Sequence, residues 1–178
     1  MRLALPFIVV AALLALGAGS ARPASPRDER VALEVAGVLP IQDDAASLVV
    51  LREKGSQTLL PVLMPAPAGR NVAARLRQRG RGGSDLLGGA LAALGARVEE
   101  VELEAATETA HGARVRLRQG GRALELDGLT SEAIALAVGS GAPLVARRAL
   151  LQADGLGPED LKQLHERHKS GEDAPLRL

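Results

Sequence analysis

The sequence of 178 residues has no cysteine, tryptophan or tyrosine, and its single phenylalanine is Phe7. Without cysteine there is no disulfide framework and no N-terminal thiol to carry a lipid, so stability rests on core packing. Without aromatic rings, bases cannot be gripped by stacking, and any nucleic acid would have to be held through its phosphates. An excess of one charge is also missing, with 22 Lys and Arg against 21 Asp and Glu. That balance does not point to a strongly basic nucleic-acid binder. Neither standard type of glycine-rich phosphate loop is present. His111 is expected at a hairpin tip with no motif around it, so a Ser/His/Asp triad has no support. His165 and His168 are two residues where zinc needs three or four ligands.

The one long apolar run, Leu3–Leu16, follows Met1-Arg2 and gives way to small residues at 17–21. It is short for a membrane span and contains Pro6, so residues 1–21 are read as a secretory signal peptide cleaved after Ser20 or Ala21. Its removal takes Arg2 and Phe7, leaving 21 basic against 21 acidic residues and no aromatic. The expected product is exported, periplasmic or secreted, with no membrane anchor. Residues 22–30, with Pro23 and Pro26, read as a linker. Residues 31–152 read as one domain, and 153–178 as a polar tail with a short helix at 159–169.

The stretch Arg114–Ala146 organises the domain. Gly120-Gly121 marks a two-residue hairpin turn whose central positions call for positive φ. The turn sets Leu117 opposite Leu124 and Val115 opposite Leu126 on an apolar face, with Arg116 opposite Glu125 and Arg114 opposite Asp127 on the other. A slip of one residue would drive charges into the core. Ser131 is expected to cap a short helix over 133–138, with Glu132 favouring its positive end. Gly139-Ser140-Gly141 stops the helix, and a strand follows at 144–146.

Upstream, alternation predicts strands at 31–38, 47–52, 58–64 and 97–105. The strands at 47–52 and 58–64 are nearly continuous apolar runs, which places them centrally in the sheet. Pro65–Gly69 reads as a break, followed by a helix over 71–79. A second helix over 85–94, capped by Ser84, should bury Leu86, Leu87, Ala90, Leu91 and Leu94. Glu100, Glu102 and Glu104 are expected beside Arg114, Arg116 and Arg118, making an arginine row flanked by acids. The resulting fold class is α+β: a curved, mostly antiparallel sheet with about three short helices packed on it.

The segment GRALELDGLTSEAIALAVGSGAPLVARRALL resembles the closing motif of the bifunctional nuclease family, which typically reads ELDARPSDAIALALR before a Pro-Ile-x-Val strand. Glu125-Leu126-Asp127, Ser131, Ala133–Ala137 and Pro143 match it. Leu48–Met64 is similar to the family's strand pair ending in Leu-Pro-Ile, and Ser84–Ala105 to its Thr-His-Asp-Leu helix and following strand. The resemblance spans 31–152. Three polar family positions differ: Pro65–Gly69 lacks the family's Glu, Gly83-Ser84-Asp85 lacks its His, and Leu129 replaces its Arg.

The resemblance implies a nuclease that hydrolyses DNA and RNA with Mg or Mn. Asp127, Glu132 and Asp85 are the carboxylates that would hold the metal and serve catalysis, since such ions take oxygen ligands, activate water and offset charge on the leaving oxygen. The competing reading is local neutralisation: Asp127 by Arg114, Glu132 and Asp85 by helix dipoles. Arg75, Arg77, Arg79 and Arg81 lie in an acid-free stretch and suit a phosphate track, or else form a solvated helix face. A second function remains open: an exported non-catalytic module that binds a partner or assembles as a homo-oligomer, as expected where a fold persists and its site is lost. If the leader is cleaved as read, N-terminal sequencing of the exported chain will begin at Ala21 or Arg22; an intact Met1 in the exported fraction would refute it.

Overall fold

The computed structural model describes residues 29–41, 45–79, 86–108, 111–160 and 163. The leader, most of the linker, most of the tail helix, both tail histidines, Ser84, Asp85 and Arg81 lie outside them.

Seven strands form one open sheet: β1 (Arg30–Ile41), β2 (Ala46–Glu53), β3 (Leu59–Pro65), β4 (Ala96–Leu103), β5 (Ala113–Gln119), β6 (Arg122–Gly128) and β7 (Leu144–Arg147), in the spatial order β3-β2-β1-β7-β4-β5-β6. Every pairing is antiparallel except β4 with β7. The α+β class and the mostly antiparallel sheet therefore hold. Among the described residues four helices of at least seven residues accompany it, where about three were expected: α1 (Ala66–Gln78), α2 (Leu86–Ala93), α3 (Thr130–Ser140) and α4 (Arg148–Asp154). The seven residues of α4 follow directly on β7 and are too short to show a helical period in sequence.

The hairpin of β5 and β6 has the expected register, Val115 to Leu126, Leu117 to Leu124, Arg116 to Glu125 and Arg114 to Asp127. Only Gly120 has positive φ, at 55°. The turn is thus of the kind with glycine required at its first central position alone, and it joins the strands in the same register.

Other expectations need correction. β3 is an edge strand, not a central one; Leu60, Val62 and Met64 are buried on one face while Leu59, Pro61 and Leu63 are half-buried on the other. Edge position is what allows Pro61, which has no donor for a neighbouring strand. Pro65–Gly69 is no break: α1 starts at Ala66 with proline in its first turn, where the absent N–H has no intrahelical partner to lose. α1 lies so close on β2 that a Cβ at Gly69 would come within 2.2 Å of Ser47 Cβ. The apolar stripe of α2 is not buried. Leu86, Leu87 and Leu94 are exposed, and Leu91 alone among the leucines packs partly against the core. From Leu86 to Ala93 the helix has only apolar residues and glycine, so no polar face marks which side turns outward.

One apolar core runs through the sheet, from Val49, Leu51, Leu60 and Val62 to Val101, Leu103 and Ile134. It occupies the face on which α1 and α3 pack against each other and against the strands. The opposite face of β4 and β5 carries the expected charge ladder. Arg114 reaches Glu104 at 3.0 Å, and Arg116 reaches Glu125 at 3.0 Å as well as Glu100. Arg118 holds Glu99, the extra residue of a β4 bulge, through two nitrogens at 2.9 and 3.1 Å. That hydrogen bond is the main reason the Glu99 carboxyl titrates below the ordinary glutamate range. Hydrogen bonding to Glu125, foremost, holds Arg116 protonated to beyond its usual value.

Glu102 departs from the expected solvent-facing row. Its side chain is 1% exposed and sits under three arginines: Arg147 Nε at 3.1 Å, Arg116 Nη2 at 3.3 Å and Arg30 Nη2 at 3.4 Å. These come from β7, β5 and β1. A buried charge stripped of water needs such pairing, and breaking it by removing one partner leaves uncompensated charge. Glu102→Gln should therefore lower stability by about 3 kcal/mol in urea unfolding. Glu104→Gln, in a solvated pair, should cost about 1 kcal/mol or less. Equal losses would show that burial of Glu102 carries no special weight.

Candidate active site

The site forms where β6 ends and α3 begins. Asp127 is the penultimate residue of β6, and Leu129 turns the chain into α3. Ser131 does not cap this helix, because the helix starts one residue earlier, at Thr130, and Ser131 is its second residue. Its buried hydroxyl donates to Glu108 Oε1 at 2.6 Å, and its N–H donates to Glu108 Oε2 at 3.1 Å. A carboxylate from the β4–β5 connection thus receives the free donor of the helix start, and Thr130 Oγ1 donates to the neighbouring Thr107 carbonyl at 2.8 Å. These bonds fix the corner that carries Asp127 and Glu132.

Asp127 and Glu132 line one pocket of about 420 Å³. Asn71 and Arg75 of α1 line it too, and Val115, Leu117, Leu126 and Leu136 give it apolar walls. Arg75 Nε donates to Asn71 Oδ1 at 3.0 Å, one helical turn away. Asp127 is half exposed, with Arg114 Nε 3.5 Å from Oδ1 and His111 Nδ1 3.7 Å from Oδ2. Both are long contacts, so the carboxylate keeps access to the pocket and to solvent. Glu132, in the first turn of α3, is exposed. An arrangement of two reachable carboxylates and a guanidinium beside an apolar wall can hold a cation and an anionic group together.

The structure thus brings together Asp127, Glu132 and Arg75. Of the remaining expected site residues, Asp85 and Arg81 lie outside the described residues. Arg77 is exposed on α1 and does not line the pocket. Arg79 lines a different pocket, with Lys54 and Glu34. Among the described residues no group of three or more His, Cys, Asp or Glu is placed to hold a metal ion. His111, set aside in the sequence as a hairpin-tip residue without a motif, stands beside Asp127, and Asn71 was not among the sequence candidates. His111 was open to inference, because extending the hairpin register beyond Ala113 opposite Gly128 brings the preceding turn next to Asp127. Asn71 had no such signal, since it depends on how α1 docks against α3.

No curated protein matched the chain in comparison. The family described as the bifunctional nuclease domain matches residues 49–159, from the middle of β2 to beyond α4. β1 precedes the matched region yet pairs with both β2 and β7, so it completes the same sheet. With well over half of its length matched, and the matched part holding Arg75, Asp127 and Glu132 in one pocket, the chain belongs to the bifunctional nuclease domain family.

Proposed function

We propose that this protein is an exported, divalent-metal-dependent nuclease that cleaves phosphodiester bonds of DNA or RNA at the Asp127–Glu132 pocket. The observation that carries the reading is the meeting of those two carboxylates with Arg75 in one pocket of a bifunctional nuclease domain. Export rests on the apolar leader at residues 3–16 and its small-residue end.

The donor set fits Mg or Mn, which bind through one or two carboxylates and complete their shell with water and substrate phosphate. Bound there, such an ion would supply Lewis acidity and an activated water. The chain's own groups do the rest. Arg75 binds a non-bridging phosphate oxygen through its planar fork, with Asn71 orienting the guanidinium. Arg114 and His111 keep Asp127 aimed at the pocket mouth. The apolar wall limits water around the phosphate and strengthens each of these electrostatic contacts.

One observation favours the second reading, an exported binding module without catalysis. Asp127 already faces Arg114, and this sequence lacks the Glu and His that the family commonly carries. The two readings part in a single assay of the mature protein on plasmid and RNA, with Mg²⁺, with Mn²⁺ and with chelator. For catalysis, cleavage should need the metal, fall at least about a hundredfold in folded Asp127→Asn and Glu132→Gln, and fall about tenfold in Arg75→Gln. Equal traces of activity in all four proteins would mean contamination and a binding module.

A further inference from the structure

The pocket that holds Arg79 has about 260 Å³ of space between the C-terminal ends of α1 and α3, over Leu33 and Val35 of β1. Three charged side chains line it: Glu34, Lys54 and Arg79. Glu34 is already spoken for. Arg52 Nε donates to it at 2.8 Å and a second Arg52 nitrogen also bonds it, and this hydrogen bonding is the main reason its carboxyl titrates below the ordinary range. Lys54 and Arg79 add a weaker pull on the same carboxylate, and among the described residues neither forms an ion pair with an acid. Counting Arg52 with its partner as neutral, the pocket presents two positive charges over an apolar floor.

We infer that Lys54 and Arg79 form a second phosphate subsite, which holds a further phosphate of the same nucleic-acid strand whose scissile bond lies at Asp127 and Glu132. The inference rests on the nuclease reading of that first pocket. Two features connect the pockets. Asn71 and Arg75 stand one turn apart on α1, about 6 Å of rise, and Arg79 is its C-cap residue four positions further, so the three succeed one another towards the C-terminal end of the helix. α3 provides wall residues to both, Glu132 and Leu136 to the first pocket, Ala137 and Val138 to the second. A strand passing from one to the other meets guanidiniums at intervals comparable to its own phosphates. With no aromatic residue in the described chain, this contact has to be phosphate-borne and indifferent to sequence.

The test reads binding apart from cleavage. Fluorescence anisotropy of a labelled single-stranded 12-mer is followed across salt concentrations in chelator, for the wild type, for Lys54→Gln with Arg79→Gln, and for Arg70→Gln with Arg77→Gln. The last removes equal charge from exposed α1 positions outside both pockets. The subsite predicts about tenfold weaker binding for the Lys54/Arg79 protein and a salt slope shallower by about 1.4, the value for two lost single-strand contacts. The Arg70/Arg77 protein should change less than twofold. Equal weakening in both would overturn the subsite in favour of general charge, and no binding by the wild type would overturn it outright. A Lys54/Arg79 protein that loses binding of inorganic phosphate, read by ³¹P line broadening, but keeps the oligonucleotide would make this a free-anion site and also overturn it. Should the binding result hold while Asp127→Asn and Glu132→Gln cleave normally, the subsite stands and the assignment of the catalytic pocket fails.

Discussion

Two antiparallel halves of this sheet, β3-β2-β1 and β4-β5-β6, are joined only through β7, a strand of four residues. So short a strand offers few ladder hydrogen bonds, and the junction needs other support. Glu102 supplies it. From β4, the strand of its half that borders β7, it engages Arg147 of β7, Arg116 of β5 and Arg30 of β1. Three positive charges converging on one carboxylate would repel one another without it. Removed from water, the carboxylate would be intolerable without them. This mutual requirement locks the order of strands where apolar packing alone would permit sliding. On the far side of the junction the same sheet carries Ala146 and Leu144 into the core beneath α3, so the ionic face and the apolar face of the joint reinforce one another.

That joint determines where the site lies. α3 is anchored at its start by Glu108 and Thr107, from the connection between β4 and β5, and at its end by Gly141, whose φ of 72° turns the chain back towards β7. Held at its start by the β4–β5 connection and leading directly into β7, the helix presents Glu132 to the same space as Asp127. α1 rests on β2 through the close approach at Gly69 and presses against α3, which brings Arg75 to the pocket. The polar groups of the site are thus held by the β4–β5 connection at the start of α3, by β2 beneath α1 and by the packing of α1 on α3.

The hairpin of β5 and β6 was legible residue by residue because two local rules agree, a glycine turn that sets register and an alternation of period two that punishes any slip. The closeness of Asp127 and Glu132 was legible for a similar reason, since only a tight corner separates them. What could not be read depends on distant partners. Glu102 follows the same alternation as Glu100 and Glu104, and nothing in β4 itself distinguishes it; its burial comes from arginines of three other strands. β3 reads as a central strand because it is apolar on both faces, and only the sheet order exposes it as an edge. α2 was misjudged because a helix of leucine, alanine and glycine has no side that must be wet. The arginine run of α1 looked like one track in sequence, whereas helical geometry sends Arg75 and Arg79 to separate pockets and leaves Arg77 in solvent.

The lining of the pocket bears on the chemistry in a specific way. An apolar wall of Val115, Leu117, Leu126 and Leu136 stands directly beside the acids, with no aromatic ring among them. Such a wall can bury the flank of a sugar or exclude water, but it cannot read a base edge, because it offers no donor or acceptor. On the nuclease reading proposed above, recognition would then fall to the phosphates, whose charge suits guanidinium and ammonium groups and whose spacing is independent of sequence. The near balance of charge over the whole chain fits the same economy, since most of the described arginines are paired with carboxylates. Lys54 and Arg79, which pair with no acid among the described residues, line the pocket between the C-terminal ends of α1 and α3. On that reading, affinity built from so few contacts would depend steeply on where they stand and only modestly on salt, the behaviour of a positioned strand and not of a diffuse polyelectrolyte coat.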